Sequence, residues 1–151
     1  MRKAINNTLK ALTITAVIVS TLLTFIAYCT QYSNKEKTDL KSRTKILEQC
    51  LNDFDEGIAL DTLHRMYDDT ADIRVTLIRQ DGTVVYDNEA DTAVMENHLE
   101  RPEIVQAIKY GSGSSSRNSE TIGSKIYYYA VRLNSGNILR MSQSTKVILY
   151  M

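Results

Sequence analysis

An uninterrupted apolar stretch near the N-terminus is the feature that most restricts how this chain can fold. Ala11 to Asn34 is a run of 24 residues without a charged side chain, and its apolar part extends from Ala11 to Tyr28. About 20 helical residues cross a hydrocarbon core of about 30 Å at a rise of about 1.5 Å per residue. The sequence therefore predicts one transmembrane helix over residues 11–30, held in the lipid bilayer of the cell membrane.

The charges that flank this helix predict its orientation. Arg2, Lys3 and Lys10 precede it, whereas the segment that follows is mixed in sign. Because cytoplasmic flanks carry an excess of Lys and Arg, we predict that residues 1–10 are cytoplasmic and that the rest of the chain is extracytoplasmic. Two alternatives fit less well. A cleaved signal peptide would end in small residues, and a lipoprotein signal would need a small residue before Cys29.

The composition excludes several classes of function. Lys and Arg total 18, as do Asp and Glu, so the formal net charge is zero and the excess of cations that nucleic-acid binding requires is missing. The two cysteines, Cys29 and Cys50, predict no disulfide framework. The sequence contains no phosphate-binding loop, no paired metal ligands and no nucleophile elbow. We therefore predict no catalytic, cofactor-binding or metal-binding residue.

Residues 31–69 are predicted to form an extracytoplasmic helical segment. Apolar residues recur there at helical spacing, namely Leu40, Leu47, Leu51, Phe54 and Ile58. Gly57 follows a charged stretch and is predicted to end or bend the helix. Packing against a sheet explains the apolar stripe. Dimerisation along it is the alternative, and we expect a homodimer.

Residues 70–145 predict an antiparallel sheet of about five strands. Asp81-Gly82 separates two runs rich in β-branched residues, which is typical of a tight hairpin. A short helix is predicted from Arg101 to about Tyr110, followed by a flexible loop over Gly111–Ser116. Three further strands are predicted over Ser116–Ile122, Lys125–Leu133 and Asn137–Ser144. This order of elements indicates the α+β class, with helices covering an antiparallel sheet. Residues 146–151 are either a last strand or the start of a second transmembrane helix.

Candidate ligand-binding residues come from the Tyr127-Tyr128-Tyr129 triplet and from arginines on neighbouring segments. On a strand, Tyr127 and Tyr129 point to one face and Tyr128 to the other. The arginines that can donate to an anion in the same space are Arg117, Arg132 and Arg140. His98 is a loop or pocket residue in this interpretation. Ordinary aromatic packing with surface arginines is the alternative to a ligand pocket.

Several segments, taken in order, resemble those of a known family: Arg74–Ile78, Asp81–Asp87, Met95–Ile104, Tyr127–Ala130 and Leu139-Arg140. With the anchor, they resemble the extracytoplasmic sensor region of phosphate-regulon-type sensor histidine kinases of Gram-positive bacteria. The resemblance implies a PAS-like (Cache-type) fold and a signal-sensing input module. It also implies that the chain is a fragment, or a natural truncation, that ends before the kinase core.

The resemblance separates what this chain does from what a whole kinase does. ATP-dependent phosphotransfer to histidine would belong to the missing kinase part, and a cytoplasmic response regulator would be reached only through that part. An extracellular ligand of unknown identity is the partner expected for the sensor region itself. The alternative function, from another class, is a membrane-anchored adaptor or structural protein with a PAS-like protein-binding domain and no kinase.

Overall fold

The computed structural model describes residues 2–68, 73–118 and 125–145. The elements are helices α1 (Arg2–Leu51), α2 (Glu56–Tyr67) and α3 (Pro102–Tyr110), a 3₁₀ turn (Thr92–Val94), and strands β1 (Arg74–Ile78), β2 (Val84–Asp87), β3 (Ser112–Asn118), β4 (Lys125–Arg132) and β5 (Ile138–Thr145). The chain divides into two units, Met1–Lys35 and Glu36–Met151. Helix α1 contributes residues to both units.

The first unit is built on the N-terminal part of α1. Among the described residues, one helix is long and apolar enough to cross a membrane, judged by length and composition. Its threonines bond back to the backbone, as Thr13 does to the carbonyl of Leu9 and Thr24 to that of Ser20, both at 2.9 Å. Such back-bonding satisfies a hydroxyl in surroundings that offer no water.

The second unit is an antiparallel sheet with helices on both faces. The strand order is β2-β1-β5-β4-β3, and every neighbouring pair is antiparallel. Gly82, with a φ of 85°, lies in the tight turn between β1 and β2, as predicted for this hairpin. This architecture confirms the α+β class and is consistent with a PAS-like fold.

One face of the sheet, which we call the α1 face, is covered by α1 and α2. Leu40, Leu47 and Leu51 of α1 and Leu63 of α2 are buried there. Thr44 lies between the α1 leucines and donates its hydroxyl to the Leu40 carbonyl at 2.7 Å. The strand residues that complete this core are Val75, Leu77, Tyr86, Tyr127, Tyr129, Val131, Leu139 and Met141. The prediction that the leucine stripe packs against a sheet is therefore confirmed for α1.

The apolar stripe stops where α1 stops. Phe54 and Ile58, which continue the stripe in the sequence, are exposed. Residues 52–55 lie outside both helices, and Asp55 caps α2 by accepting a hydrogen bond from the Ile58 backbone N–H at 2.9 Å. The prediction that Gly57 ends or bends the helix is wrong, because Gly57 is the second residue of α2 and the interruption precedes it.

The opposite face of the sheet, which we call the α3 face, is covered by α3. Ile104 and Ala107 of this helix pack on Ile78, Ala130 and Ile138 of the strands. This apolar cluster is smaller than the core on the α1 face. The rest of the α3 face carries polar side chains, described below.

Helix α3 is confirmed, whereas the loop predicted after it is wrong. Pro102 takes the first helical position, and Gly111 ends the helix with a φ of 82°. The residues predicted as a flexible loop, Gly111–Ser116, mostly belong to β3 (Ser112–Asn118), which pairs with β4 without a break. The serine-rich composition hid this strand, because it is held by backbone pairing and by contacts with α3 rather than by strand propensity.

Two predictions reach residues that the structure does not describe. The strand predicted over Ser116–Ile122 extends past Asn118, and residues 146–151, predicted as a last strand or the start of a second transmembrane helix, lie wholly outside the described part. The strands predicted over Lys125–Leu133 and Asn137–Ser144 are confirmed as β4 and β5.

Replacing Gly113 with alanine is expected to destabilise the fold by about 1–3 kcal/mol, as overpacking does. A Cβ at Gly113 would overlap the Glu103 carbonyl oxygen of α3, so strand and helix would have to separate. Gly57→Ala is the matched control, because its Cβ meets only an Asp55 oxygen at 3.4 Å and alanine favours a helix. Urea denaturation in detergent measures both variants, and equal stability would contradict the close packing of β3 on α3.

Candidate functional site

Polar side chains gather on the α3 face because alternate residues of a strand point to the same face of a sheet. Thr76 of β1 pairs with Arg140 of β5, and Ser115 of β3 pairs with Tyr128 of β4. Glu103 reaches the same face from α3. We call the following residues the α3-face cluster: Arg74, Thr76, Asp87, His98, Arg101, Glu103, Ser115, Arg117, Tyr128 and Arg140.

Arg140 is a deeply buried cation of the cluster, with only 2% of its surface exposed. Its Nη2 donates to Thr76 Oγ1 at 3.0 Å, and its guanidinium lies 5.4 Å from the centre of the Tyr128 ring. Its Nη1 is 3.5 Å from Glu103 Oε1. Burial lowers the pKa of Arg140 to about 10, with nearby arginines acting in the same direction and Glu103 against them. Arg140 therefore keeps its charge at neutral pH.

Glu103 is the buried carboxylate that ties α3 to β3. It is 0% exposed and accepts hydrogen bonds from Ser115 Oγ at 2.5 Å and from Arg117 Nη2 at 2.6 and 2.7 Å. Burial alone would raise the pKa of Glu103, but the hydrogen bonds from Ser115 and Arg117 outweigh burial and hold it below its ordinary value. Its place in the first turn of α3 also favours the charged form.

A second buried carboxylate, Asp87, lies at the end of β2. Its oxygens accept hydrogen bonds from Arg74 Nε at 3.0 Å and from Thr76 Oγ1 at 2.9 Å. The backbone N–H groups of Glu89 and Ala90 also donate to it. Asp87 is thus fully engaged within the protein, where it holds the start of the next loop against β1.

His98 enters the cluster from the loop before α3. Its backbone N–H donates to the Gly82 carbonyl at 2.9 Å, and the preceding Asn97 donates through its side chain to the Asp81 carbonyl at 2.8 Å. These bonds fasten the loop to the hairpin turn. The side chain of His98 is 4% exposed. Burial, and then the charge of Arg140, lower the pKa of His98 from 6.5 to about 4, so the imidazole is neutral at pH 7.

The neutral state of His98 predicts a loss of stability in mild acid. The unfolded chain binds a proton at this histidine as the pH falls below about 6.5, whereas the folded protein does so only near pH 4. The contribution of His98 to stability is therefore complete above pH 6.5 and is lost as the pH falls towards 4. We expect His98→Gln to flatten the dependence of unfolding free energy on pH between 6.5 and 5. Identical slopes in urea titrations of the two proteins would contradict this.

Four buried nitrogen atoms of the cluster have no hydrogen-bond partner among the described residues: Arg140 Nε, Arg140 Nη1, Arg101 Nε and His98 Nδ1. Buried polar groups of folded proteins are hydrogen-bonded in the great majority of cases. The guanidinium nitrogens are donors only, and an imidazole Nδ1 is a donor when it carries the ring proton. The arrangement can therefore donate several hydrogen bonds to an acceptor. Within the described residues, no group of three or more His, Cys, Asp or Glu side chains could hold a metal ion.

Three of the candidate ligand residues come together in the structure. Arg140, Arg117 and His98 all belong to the α3-face cluster, where Arg117 lies 4.6 Å from the Tyr128 ring centre. Arg132, predicted with them, is exposed at the end of β4. Arg117 and Arg140 lie beside the buried carboxylate Glu103, and together with His98 they form the core of the candidate site.

The two tyrosines proposed for the same pocket lie elsewhere. Tyr127 and Tyr129 do share one face of β4, with Tyr128 on the other, but theirs is the α1 face. Lys37 and Lys41 of α1 each place their Nζ 5.6 Å from the centre of one of these rings. The structure therefore separates Tyr127 and Tyr129 from Arg140 by the thickness of the sheet, and Tyr128 is the tyrosine of the triplet that lies beside the arginines.

Sequence reasoning missed the residues that organise the cluster, above all Glu103, Thr76 and Asp87. One signal was present in β1, where polar Arg74 and Thr76 alternate with apolar residues in a central strand. That alternation marks a polar face opposite the apolar core. The role of Glu103 had no such signal, because it depends on how α3 lies over β3.

Comparisons with known proteins identify the family of the domain. The model of the family described as "Single Cache-like" matches residues 31–139. The crystal structure of the Bacillus subtilis YkuI protein, which has an EAL domain and was solved with its substrate c-di-GMP and calcium, is similar at 14% identity with a TM-score of 0.47. The alignment covers 77% of this chain and 36% of that chain. No curated protein matches.

The family match covers most of the second unit, Glu36–Met151. It begins in α1 and ends in β5, and it contains the whole α3-face cluster except Arg140, the residue next beyond it. The match covers well over half of the chain. The protein carries a Cache-type sensor domain and belongs to the single Cache-like family.

Proposed function

We propose that the chain is the extracytoplasmic signal-sensing module of a membrane-bound sensor histidine kinase of the phosphate-regulon type. The observation that carries the proposal concerns α1, which contains an apolar segment able to cross a membrane and also supplies Leu40, Leu47 and Leu51 to the core of the sheet. A ligand shifts an equilibrium only through different affinities for its two states. A rearrangement of the sheet core would change the packing of the same helix that enters the membrane.

The proposed topology places the N-terminus in the cytoplasm and the Cache domain outside. Arg2, Lys3 and Lys10 support it through the bias of positive charge towards the cytoplasmic side. In this arrangement the chain acts as a homodimer, and a cytoplasmic response regulator is reached only through the kinase part that would follow residue 151.

Insertions in α1 test whether the helix transmits the signal. Two alanines inserted between Asn34 and Lys35 turn the residues that follow by about 200° about the helix axis, whereas seven alanines return them to within about 20° of their original direction. We expect the two-residue insertion to change autophosphorylation of the full-length protein in membrane vesicles and the seven-residue insertion to preserve it. Wild-type activity of both would contradict transmission through the helix.

The kinase assignment has a simpler test in the DNA downstream of Met151. A reading frame that continues into a second apolar run and a His-Glu/Asp-x-x-x-Pro phosphoacceptor motif is expected. A stop codon at this position in the genome would contradict the kinase assignment, leaving the family membership intact.

A membrane-anchored adaptor is the second candidate function. The outer side of α3 favours it, because Val105, Ile108 and Tyr110 are apolar or aromatic and exposed. Exposed apolar patches commonly mark surfaces that bind proteins. A stop codon after Met151 would favour this candidate, in which the domain holds a protein partner at the membrane without a kinase.

A further inference from the structure

We propose that the α3-face cluster binds a small molecule through an oxyanion group, a carboxylate or a phosphate, with Arg140 and Arg101 as its cationic partners and His98 as an additional donor. The inference rests on the proposed sensing function, to which it adds the chemical class of the ligand.

The charges of the cluster favour an anion. The buried carboxylate Asp87 accepts hydrogen bonds from Arg74. The buried carboxylate Glu103 accepts hydrogen bonds from Arg117 and also lies 3.5 Å from Arg140 Nη1. Glu89, which is exposed, makes only a longer contact of 3.8 Å with Arg74. Arg140 shares Glu103 with Arg117, so the two carboxylates do not balance the arginines one to one. Four guanidinium groups against two buried carboxylates give the cluster a positive excess that a bound anion would balance.

The hydrogen-bonding capacity of the cluster also favours an anion as the ligand. Arg140 donates one nitrogen, Nη2, to Thr76, and its Nε and Nη1 make no hydrogen bond to the described residues, although Nη1 lies 3.5 Å from Glu103 Oε1. Arg101 Nε and His98 Nδ1 are buried and unpartnered as well. Every free guanidinium nitrogen is a donor, so the matching group must accept hydrogen bonds. A carboxylate or phosphate accepts several of them and carries the required negative charge.

The surroundings favour a compact ligand group over a large one. The four unpartnered nitrogens are all buried from solvent. Arg140 is anchored by Thr76, and the loop that carries His98 is fastened to the hairpin turn at Gly82. A cation is excluded by the positive excess. An uncharged apolar ligand would leave the buried donors unsatisfied, which proteins avoid.

Anion binding is tested on the intact chain in detergent micelles. The melting temperature is measured with succinate, with inorganic phosphate and with sodium chloride at matched ionic strength. We expect one of the two oxyanions to raise the melting temperature above the chloride value, with saturation, as ligand binding to the folded state requires. A response to succinate identifies a carboxylate ligand, and a response to phosphate identifies a phosphate ligand.

Two arginine variants locate the site. Arg101→Gln removes a cation of the cluster, and we expect it to weaken binding of the responding anion about tenfold, as the loss of a charged hydrogen bond does. Arg132→Gln makes the same exchange on the exposed end of β4 and should bind like the wild type. Circular dichroism verifies that both variants are folded before binding is compared.

Two results would overturn the inference: neither oxyanion exceeds chloride, or the Arg101 and Arg132 variants lose affinity equally. The sensing function would survive either result if the insertions in α1 still altered kinase output. Conversely, an anion could bind the α3-face cluster saturably while a stop codon follows Met151. That result would support the proposed ligand class and contradict the kinase assignment.

Discussion

Replacing Glu103 with glutamine is expected to lower the free energy of unfolding by about 3 kcal/mol, because it removes the negative charge that Arg117 and Arg140 share inside the protein. The side chain keeps its size, so no cavity is created. Arg140 is 2% exposed and cannot turn to water for solvation. The loss therefore comes from a buried cation left without its partner rather than from lost packing.

Glu100→Gln is the matched control, because Glu100 is exposed and lies in the same loop and helix-start region. We expect it to change stability by less than about 0.5 kcal/mol, as surface substitutions do. Urea denaturation of the detergent-solubilised chain measures both variants. If the Glu103 variant were as stable as the Glu100 variant, the buried charge network would not hold α3 on the sheet.

Replacing Leu47 with proline is expected to unfold the sensor unit. Proline in a helix interior costs about 3 kcal/mol or more, and removal of a buried leucine side chain adds about 2–5 kcal/mol. Leu47 is only 2% exposed in the core of the α1 face. Together these losses rival the whole stability of a typical domain, about 5–15 kcal/mol. Loss of the cooperative transition in thermal denaturation would show the effect.

Two alanine variants separate the causes. Leu47→Ala keeps the helix and loses only the packing, so it should cost about 2–5 kcal/mol. Ile46→Ala, at the neighbouring position that is 63% exposed, should be nearly neutral. Equal effects at the two positions would mean that α1 does not pack on the sheet through the leucine face.

Much of the sheet could be predicted because its signals are local. The turn at Asp81-Gly82 needs a positive φ, which only glycine adopts freely, and the hairpin formed as expected. Helix α3 was equally visible in Pro102 and Gly111, which mark its two ends. Each of these predictions rests on residues that act within a few positions of one another in the chain.

The two errors in the secondary structure have different causes. The serines after Gly111 have weak strand propensity, yet they form β3 because β4 offers its edge and Glu103 bonds Ser115. The prediction that the buried apolar stripe continues through Phe54 and Ile58 is wrong, because Asp55 starts a new helix whose faces are turned relative to those of α1. The first effect depends on residues distant in the chain, whereas the second is local, because Asp55 caps α2 at the Ile58 backbone N–H three residues further on.

Only part of the candidate site could be predicted from the sequence. Arg117 and Arg140 were singled out as donors to an anion, and the structure brings them together around Glu103. The tyrosines proposed with them were chosen for their chemistry, but strand alternation sends Tyr127 and Tyr129 to the α1 face. Only the register between strands decides which face receives each arginine, and register depends on the whole sheet.

The proposed extracytoplasmic location of the sensor unit is the central claim, and Cys50 offers the most direct test of it. Cys50 is exposed at the end of α1 within the sensor unit, and with Cys29 replaced by serine it is the only cysteine left. A membrane-impermeant maleimide applied to intact cells should label Cys50 as completely as it does after permeabilisation. Labelling only after permeabilisation would place the domain in the cytoplasm and contradict the account.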